Sequence, residues 1–126
     1  MHLNRTEIRP LIKGIDMGLN KSLEEDFQNK TLRPIIKMQH DLLVAYFKDY
    51  LISKKCKFEP LSNSKKQDYI STLFKKDHAF KLELRGLIVG HFTTDEFAVY
   101  CQRKSDFNKR IVGMIQERIS SVLDVI

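Results

Sequence analysis

Between Thr31 and Lys55 apolar residues recur at helical spacing. At 100° per residue Ile35, Leu42, Leu43, Tyr46, Phe47 and Tyr50 gather on one face, while Lys37, Asp41, Lys48 and Lys55 fall on the other. The pattern predicts one long helix over about 31–55, roughly 37 Å in length. Thr31 is placed to cap it, and Pro34 lies in its first turn, where a missing backbone N–H costs little. One polar residue, Gln39, interrupts the stripe between Ile35, Leu43 and Tyr46.

The remaining elements follow from caps and stripes. Residues 1–21 mix Ile8, Leu11, Ile12, Ile15, Met17 and Leu19 with Pro10, Gly14 and Gly18, without a sustained period. They read as an irregular arm whose apolar content places it on the core or on a partner chain. Ser22 and Glu25 form a capping-box pattern that opens a short helix over Leu23–Lys30. After a polar loop containing Pro60, Ser62 or Asn63 starts a helix burying Tyr69, Ile70, Leu73 and Phe74. Asp77 caps the next, which turns Phe80, Leu84, Leu87 and Ile88 inward and ends near Gly90–Phe92. Thr93 with Glu96 is a second capping box, opening a short helix expected to place Phe97 and Cys101 inward. Ser105 is expected to cap the last helix, with Phe107, Ile111, Met114, Ile115, Val122 and Val125 as its stripe. No strand-like alternation or internal repeat is present. The fold class is therefore all-α: an arm (1–21) and a bundle domain (22–126) of about six helices, with the 31–55 helix at its centre, flanked by the fourth and last.

A chain of 126 residues, 42% hydrophobic and 30% charged, suits one domain with one core. The longest apolar run, Leu42–Phe47, is too short to span a bilayer, so no membrane association is expected. Arg5, Glu7, Arg9, Lys13 and Asp16 leave no room for a secretory signal, and Cys56 and Cys101 form no CxxC pattern, so a reducing, cytoplasmic setting is expected. The net charge of +6 raises the question of nucleic acid. Lys54, Lys55, Lys57, Lys75, Lys76, Arg103 and Lys104 are the candidate contacts. Each group falls at an expected helix C-terminus, while Glu24–Asp26, Asp95 and Glu96 fall at N-termini, as helix dipoles favour in any helical protein.

Candidate chemistry is sparse. No paired carboxylates, nucleophile beside a base, or phosphate-binding glycine loop stands out, and no catalytic residue or cofactor is assigned. His40 and Asp41 are neighbours, diverging by about 100° on a helix, and no metal-ligand spacing links the histidines. The polar residues within apolar stripes carry more information: Gln39, His91 and Arg118. One reading brings them together as a small polar pocket, with Arg118 binding an anion or carboxylate and His91 and Gln39 orienting it. The plainer reading is a satisfied structural network, or an arginine that snorkels to water. Gly86 and Gly90 occupy a helix that would prefer alanine, and close approach of a second helix at Gly113, or a C-cap at Gly90, is expected to offset that cost. Tyr69, Phe74 and Phe80, interleaved with Lys75 and Lys76, fit core spacing better than base stacking.

The run Phe27-Gln28-Asn29-Lys30-Thr31-Leu32-Arg33-Pro34-Ile35, with Gly90-His91-Phe92-Thr93 and Asn108-Lys109-Arg110, resembles a small bacterial family of all-helical proteins of uncharacterised function, over roughly Phe27–Ile119. Some members carry a glyoxalase label. Glyoxalase I enzymes are built on βαβββ modules with His and Glu metal ligands on strands, which this chain does not have. The resemblance implies a coherent helical domain and brings no catalytic residue with it. The first functional expectation is a homodimeric binding or interaction module that holds a protein partner through an apolar groove or the arm. A nucleic-acid-binding protein and a small-molecule enzyme or sensor with a pocket inside the bundle are the alternatives.

Overall fold

The computed structural model describes residues 5–10 and 22–125. Leu11–Lys21, and with them most of the expected arm, lie outside the described residues. Among those described, the chain forms α1 (Leu23–Phe27), a π turn (Gln28–Leu32), α2 (Arg33–Met38), α3 (His40–Ser53), α4 (Asn63–Lys76), α5 (His78–Val89), α6 (Thr94–Gln102), α7 (Lys104–Ser120) and a 3-10 turn (Leu123–Val125). The described fold is all-α, a compact helical bundle. No helix among the described residues is long and apolar enough to cross a membrane.

The entry to the bundle differs from expectation. Ser22 Oγ accepts from the Glu25 N–H as foreseen, but the helix does not stop at Lys30. It widens into the π turn and runs on into α2, with Arg33 N–H donating to Gln28 O. Pro34 is the physical reason: it has no N–H to give Lys30 O, and its ring would press on that carbonyl in a regular α-helix. Thr31 caps nothing; it is buried, and its hydroxyl donates to Glu96 Oε2 at 3.2 Å.

The helix expected over 31–55 parts at Gln39, whose φ of −90° and ψ of 7° leave the α region for one residue. Gln39 N–H still donates to Ile35 O and its carbonyl still accepts from Leu43 N–H, both at 2.9 Å, so the axis is interrupted without being ended. At the far end α3 closes in a Schellman motif: Cys56 N–H reaches Leu51 O, Lys55 N–H reaches Ile52 O, and Lys55 takes a φ of 53°.

Packing centres on α7, not on the 31–55 span. It touches α3, α4, α5 and α6, and its Phe107, Ile111, Ile115 and Ile119 are fully buried. The stripe predicted for α7 is right at its centre, with Met114 and Val122 only half-buried. Its start is not capped by Ser105; the helix begins at Lys104 without a side-chain cap. Ser62, Asp77 and Thr93 do cap α4, α5 and α6, each accepting from the N–H three residues on, and the Thr93–Glu96 box is reciprocal. On α6 the inward residue is Tyr100, in ring contact with Phe92, Phe97 and Phe107. Cys101 is exposed and Phe97 is 46% exposed, so both point away from the core.

The expected close approach at the glycines is absent. Among the described residues, a Cβ at Gly86 or Gly113 would meet no heavy atom of another element within 4 Å. Gly90 is the C-cap of α5, where a Cβ would lie 3.0 Å from Gly86 O.

Candidate functional site

Gln39 and His91 do meet, and the contact completes the end of α5. The last carbonyls of a helix lack intrahelical donors and must be satisfied elsewhere. Here Gly86 O accepts from Gly90 N–H, Ile88 O from His91 N–H and Val89 O from Phe92 N–H. Leu87 O accepts from Gln39 Nε2 at 3.2 Å. Beyond the helix, Gly90 O accepts from Arg5 Nη1 and His91 O from Arg9 Nη2, both at 2.6 Å. The same Gln39 nitrogen lies 2.9 Å from His91 Nε2. Because that nitrogen carries only hydrogens to offer, His91 Nε2 must accept, and its ring proton sits on Nδ1. Burial, followed by the charges of Arg5 and Arg9, pulls the His91 pKa below its ordinary value, in keeping with a neutral ring.

The Arg5–Pro10 segment is held at this corner. The Arg9 guanidinium grips Glu96 with both arms, at 2.5 and 2.7 Å, and its side chain is 5% exposed. Burial alone would raise the Glu96 pKa; the Arg9 hydrogen bond, the Thr93 N–H, the Arg9 charge and Thr31 outweigh it and bring the carboxyl below the usual range. Thus Gln39 and His91 belong to a structural junction between α2, α3, α5, α6 and the N-terminal segment, in which Arg9 Nε alone is buried without a hydrogen-bond partner among the described residues.

Arg118 stands apart from that junction. Its Nη1 lies 3.3 Å from His40 Nδ1, and it lines an opening shared with Arg33 near the start of α2. The helix break therefore separates two adjacent side chains: Gln39 turns to the end of α5, His40 to the last turn of α7.

The basic candidates are dispersed. Lys54, Lys55, Lys57, Lys75, Lys76, Arg103 and Lys104 are all exposed. Lys54 rides over the Tyr50 ring, Lys104 over the Tyr100 ring, and Arg103 Nε lies 3.2 Å from Glu24 Oε1. Lys75 and Lys76 occupy the last turn of α4 as expected, whereas Lys104 opens α7 instead of closing a helix.

A different basic surface was overlooked. A groove of about 470 Å³ between α5 and α7 is lined by His78, Lys81, Leu82, Arg85, Asn108, Lys109, Val112, Gly113 and Gln116. Among the described residues no carboxylate lines it. Leu82 is 54% exposed there, and the empty Cβ position of Gly113 opens the α7 wall. The sequence signal was available: His78, Lys81 and Arg85 recur at helical spacing on one face of α5. A hollow beside Tyr50 and Tyr69 offers less. The Tyr50 hydroxyl donates to Asp77 Oδ2 at 2.9 Å, and burial with that bond pushes the phenol up to about 12, so it stays protonated. Among the described residues no cluster of His, Cys, Asp or Glu is placed to hold a metal ion. No protein-family model, curated protein or solved structure matches the chain.

Proposed function

We propose that the protein is a helical interaction module whose α5–α7 groove holds an acidic segment of a partner protein. The observation that carries this reading is the groove's composition: His78, Lys81, Arg85 and Lys109 on its walls, Leu82, Val112 and Gly113 among them, and no carboxylate among the described residues. A partner that matches it presents acidic side chains beside a short apolar ridge. Nucleic acid suits the groove less well, since phosphates make no use of an apolar floor and, among the described residues, no Phe, Tyr or Trp lines it for stacking. A second copy also suits it less well than an acidic chain, because face-to-face pairing would oppose identical basic walls. Cys56 and Cys101 are both free, which fits the cytoplasmic setting included in this reading. The resemblance over Phe27–Ile119 belongs to the same reading: a coherent helical domain that brings no catalytic set.

Fluorescence anisotropy tests the reading with a labelled synthetic helix of Leu, Ala and Glu, and with a mixed-sequence DNA duplex. The peptide binds the native protein, and Lys81→Glu with Arg85→Glu weakens it roughly tenfold or more, because two attractive charges become repulsive toward the acidic side chains. Tighter binding of the duplex, or peptide binding indifferent to the charge reversal, would overturn the reading.

A further inference from the structure

The opening around Arg118 has features that the groove reading does not use. Its volume is about 280 Å³, and Arg33, Ile36, Met114, Glu117, Arg118 and Ser121 line it. Arg118 is half-buried, and among the described residues neither it nor Arg33 has a carboxylate partner. A guanidinium withdrawn from water without an anion is unfavourable, and a planar anion relieves it best. His40 Nδ1 accepts from Arg118 Nη1 and fixes one side of that guanidinium. Arg33 Nε donates to Asn29 Oδ1 at 3.0 Å, which orients the group and leaves its terminal N–H donors unspent. Ser121 donates its hydroxyl proton to Arg118 O at 2.6 Å, so the two arginines are the donors available to a ligand.

The surroundings also select the anion. Glu117 on the wall and the carbonyl end of α7 both diminish the positive potential, which favours a single negative charge over a dianion. Met114, half-buried, supplies an apolar side, with the buried Ile36 behind it. We propose that this opening binds a small aliphatic monocarboxylate, its oxygens held between Arg118 and Arg33 and its alkyl chain against Met114. The site is separate from the α5–α7 groove and shares no lining residue with it.

Nitrogen–proton NMR tests this with sodium butyrate as probe, and with inorganic phosphate and sodium chloride at matched ionic strength. Butyrate shifts the Arg118 Nε–H and the Ser121 amide saturably, while chloride does not. Arg33→Gln and Arg118→Met each weaken butyrate by about tenfold or more, the equivalent of one charge-assisted pair. Arg33 is exposed, so its variant keeps the test alive even if loss of Arg118 unfolds the chain. Equal shifts from chloride, tighter binding of phosphate, or butyrate binding unchanged in Arg33→Gln would each overturn the assignment. Lys81→Glu with Arg85→Glu leaves butyrate binding intact, so this site and the groove succeed or fail separately.

Discussion

Replacing Gln39 by Leu probes the junction that organises the helix break. The substitution removes two hydrogen bonds at once, to Leu87 O and to His91 Nε2, and leaves both acceptors facing a methyl group. Each neutral bond contributes about 0.5–1.5 kcal/mol, and an orphaned buried acceptor costs about 1–3 kcal/mol. Gln39 is half-buried, so water reaches part of the site and the lower half of that range applies. The expected loss is about 1–2 kcal/mol, or roughly 4–8 °C in Tm for a domain of this size. The pH dependence adds a sharper test. The folded His91 pKa lies below its ordinary 6.5, so the neutral ring's contribution is complete above that value and is lost as pH falls toward the folded pKa. Without Gln39 the neutral ring loses its donor and the folded pKa rises. The variant therefore sheds less stability than the native chain between about pH 8 and about pH 5.5, and the two converge on acidification. Urea unfolding followed by circular dichroism at both pH values measures this. An unchanged midpoint at pH 8, or an identical penalty at both, refutes the proposed acceptor role of His91.

Other outcomes follow from local geometry. Lys55→Gly relieves the left-handed φ of 53° in the Schellman turn and raises stability by about 0.5–1 kcal/mol after the entropy of glycine is subtracted; a lower urea midpoint would contradict this. Glu96→Gln breaks the two-armed pair with Arg9 and costs about 2–4 kcal/mol at neutral pH. Because the folded Glu96 pKa is lowered, that contribution is present above the ordinary carboxylate range and disappears as pH falls through the folded value. Thermal unfolding of native chain and variant should thus separate at neutral pH and draw together as pH falls through the folded Glu96 value, and parallel curves would exclude the pair as the source.

What was legible in the chain was what sequence neighbours decide. Ser62, Asp77 and Thr93 cap because a short oxygen-bearing side chain needs only the N–H three residues on. The stripes of α4, α5 and α7 emerged because burial follows helical period. The break at Gln39 was not legible, since its bonding partners lie on α5, and neither proline nor glycine marks the position. The π turn was missed because Pro34 was read as a helix start, whereas a widened turn before it also solves the missing donor. On α6 the choice between Phe97 and Tyr100 depends on Phe92 and Phe107, which no local pattern supplies. The polar intrusions show the same division. Each of Gln39, His91 and Arg118 was recognisable from its stripe, but a helical wheel gives a direction without the neighbour. Gln39 and His91 met; Arg118 went to His40. The groove needed both kinds of information, since His78, Lys81 and Arg85 share a sequence spacing while Lys109 joins them only through the packing of α5 on α7.

Whether an acidic protein segment seats between α5 and α7 is decided by mapping the Leu, Ala and Glu helix on the native protein with amide chemical shifts, beside Gly113→Leu. That substitution fills open groove space without altering charge, since among the described residues no other element comes within 4 Å of the Gly113 Cβ position. Seating there confines the shifts to Lys81, Leu82, Arg85, Lys109, Val112 and Gly113, and Gly113→Leu weakens binding severalfold as the apolar ridge is excluded. Shifts spread over Lys54, Lys55, Lys57, Lys75 and Lys76, or full affinity in Gly113→Leu, would contradict it.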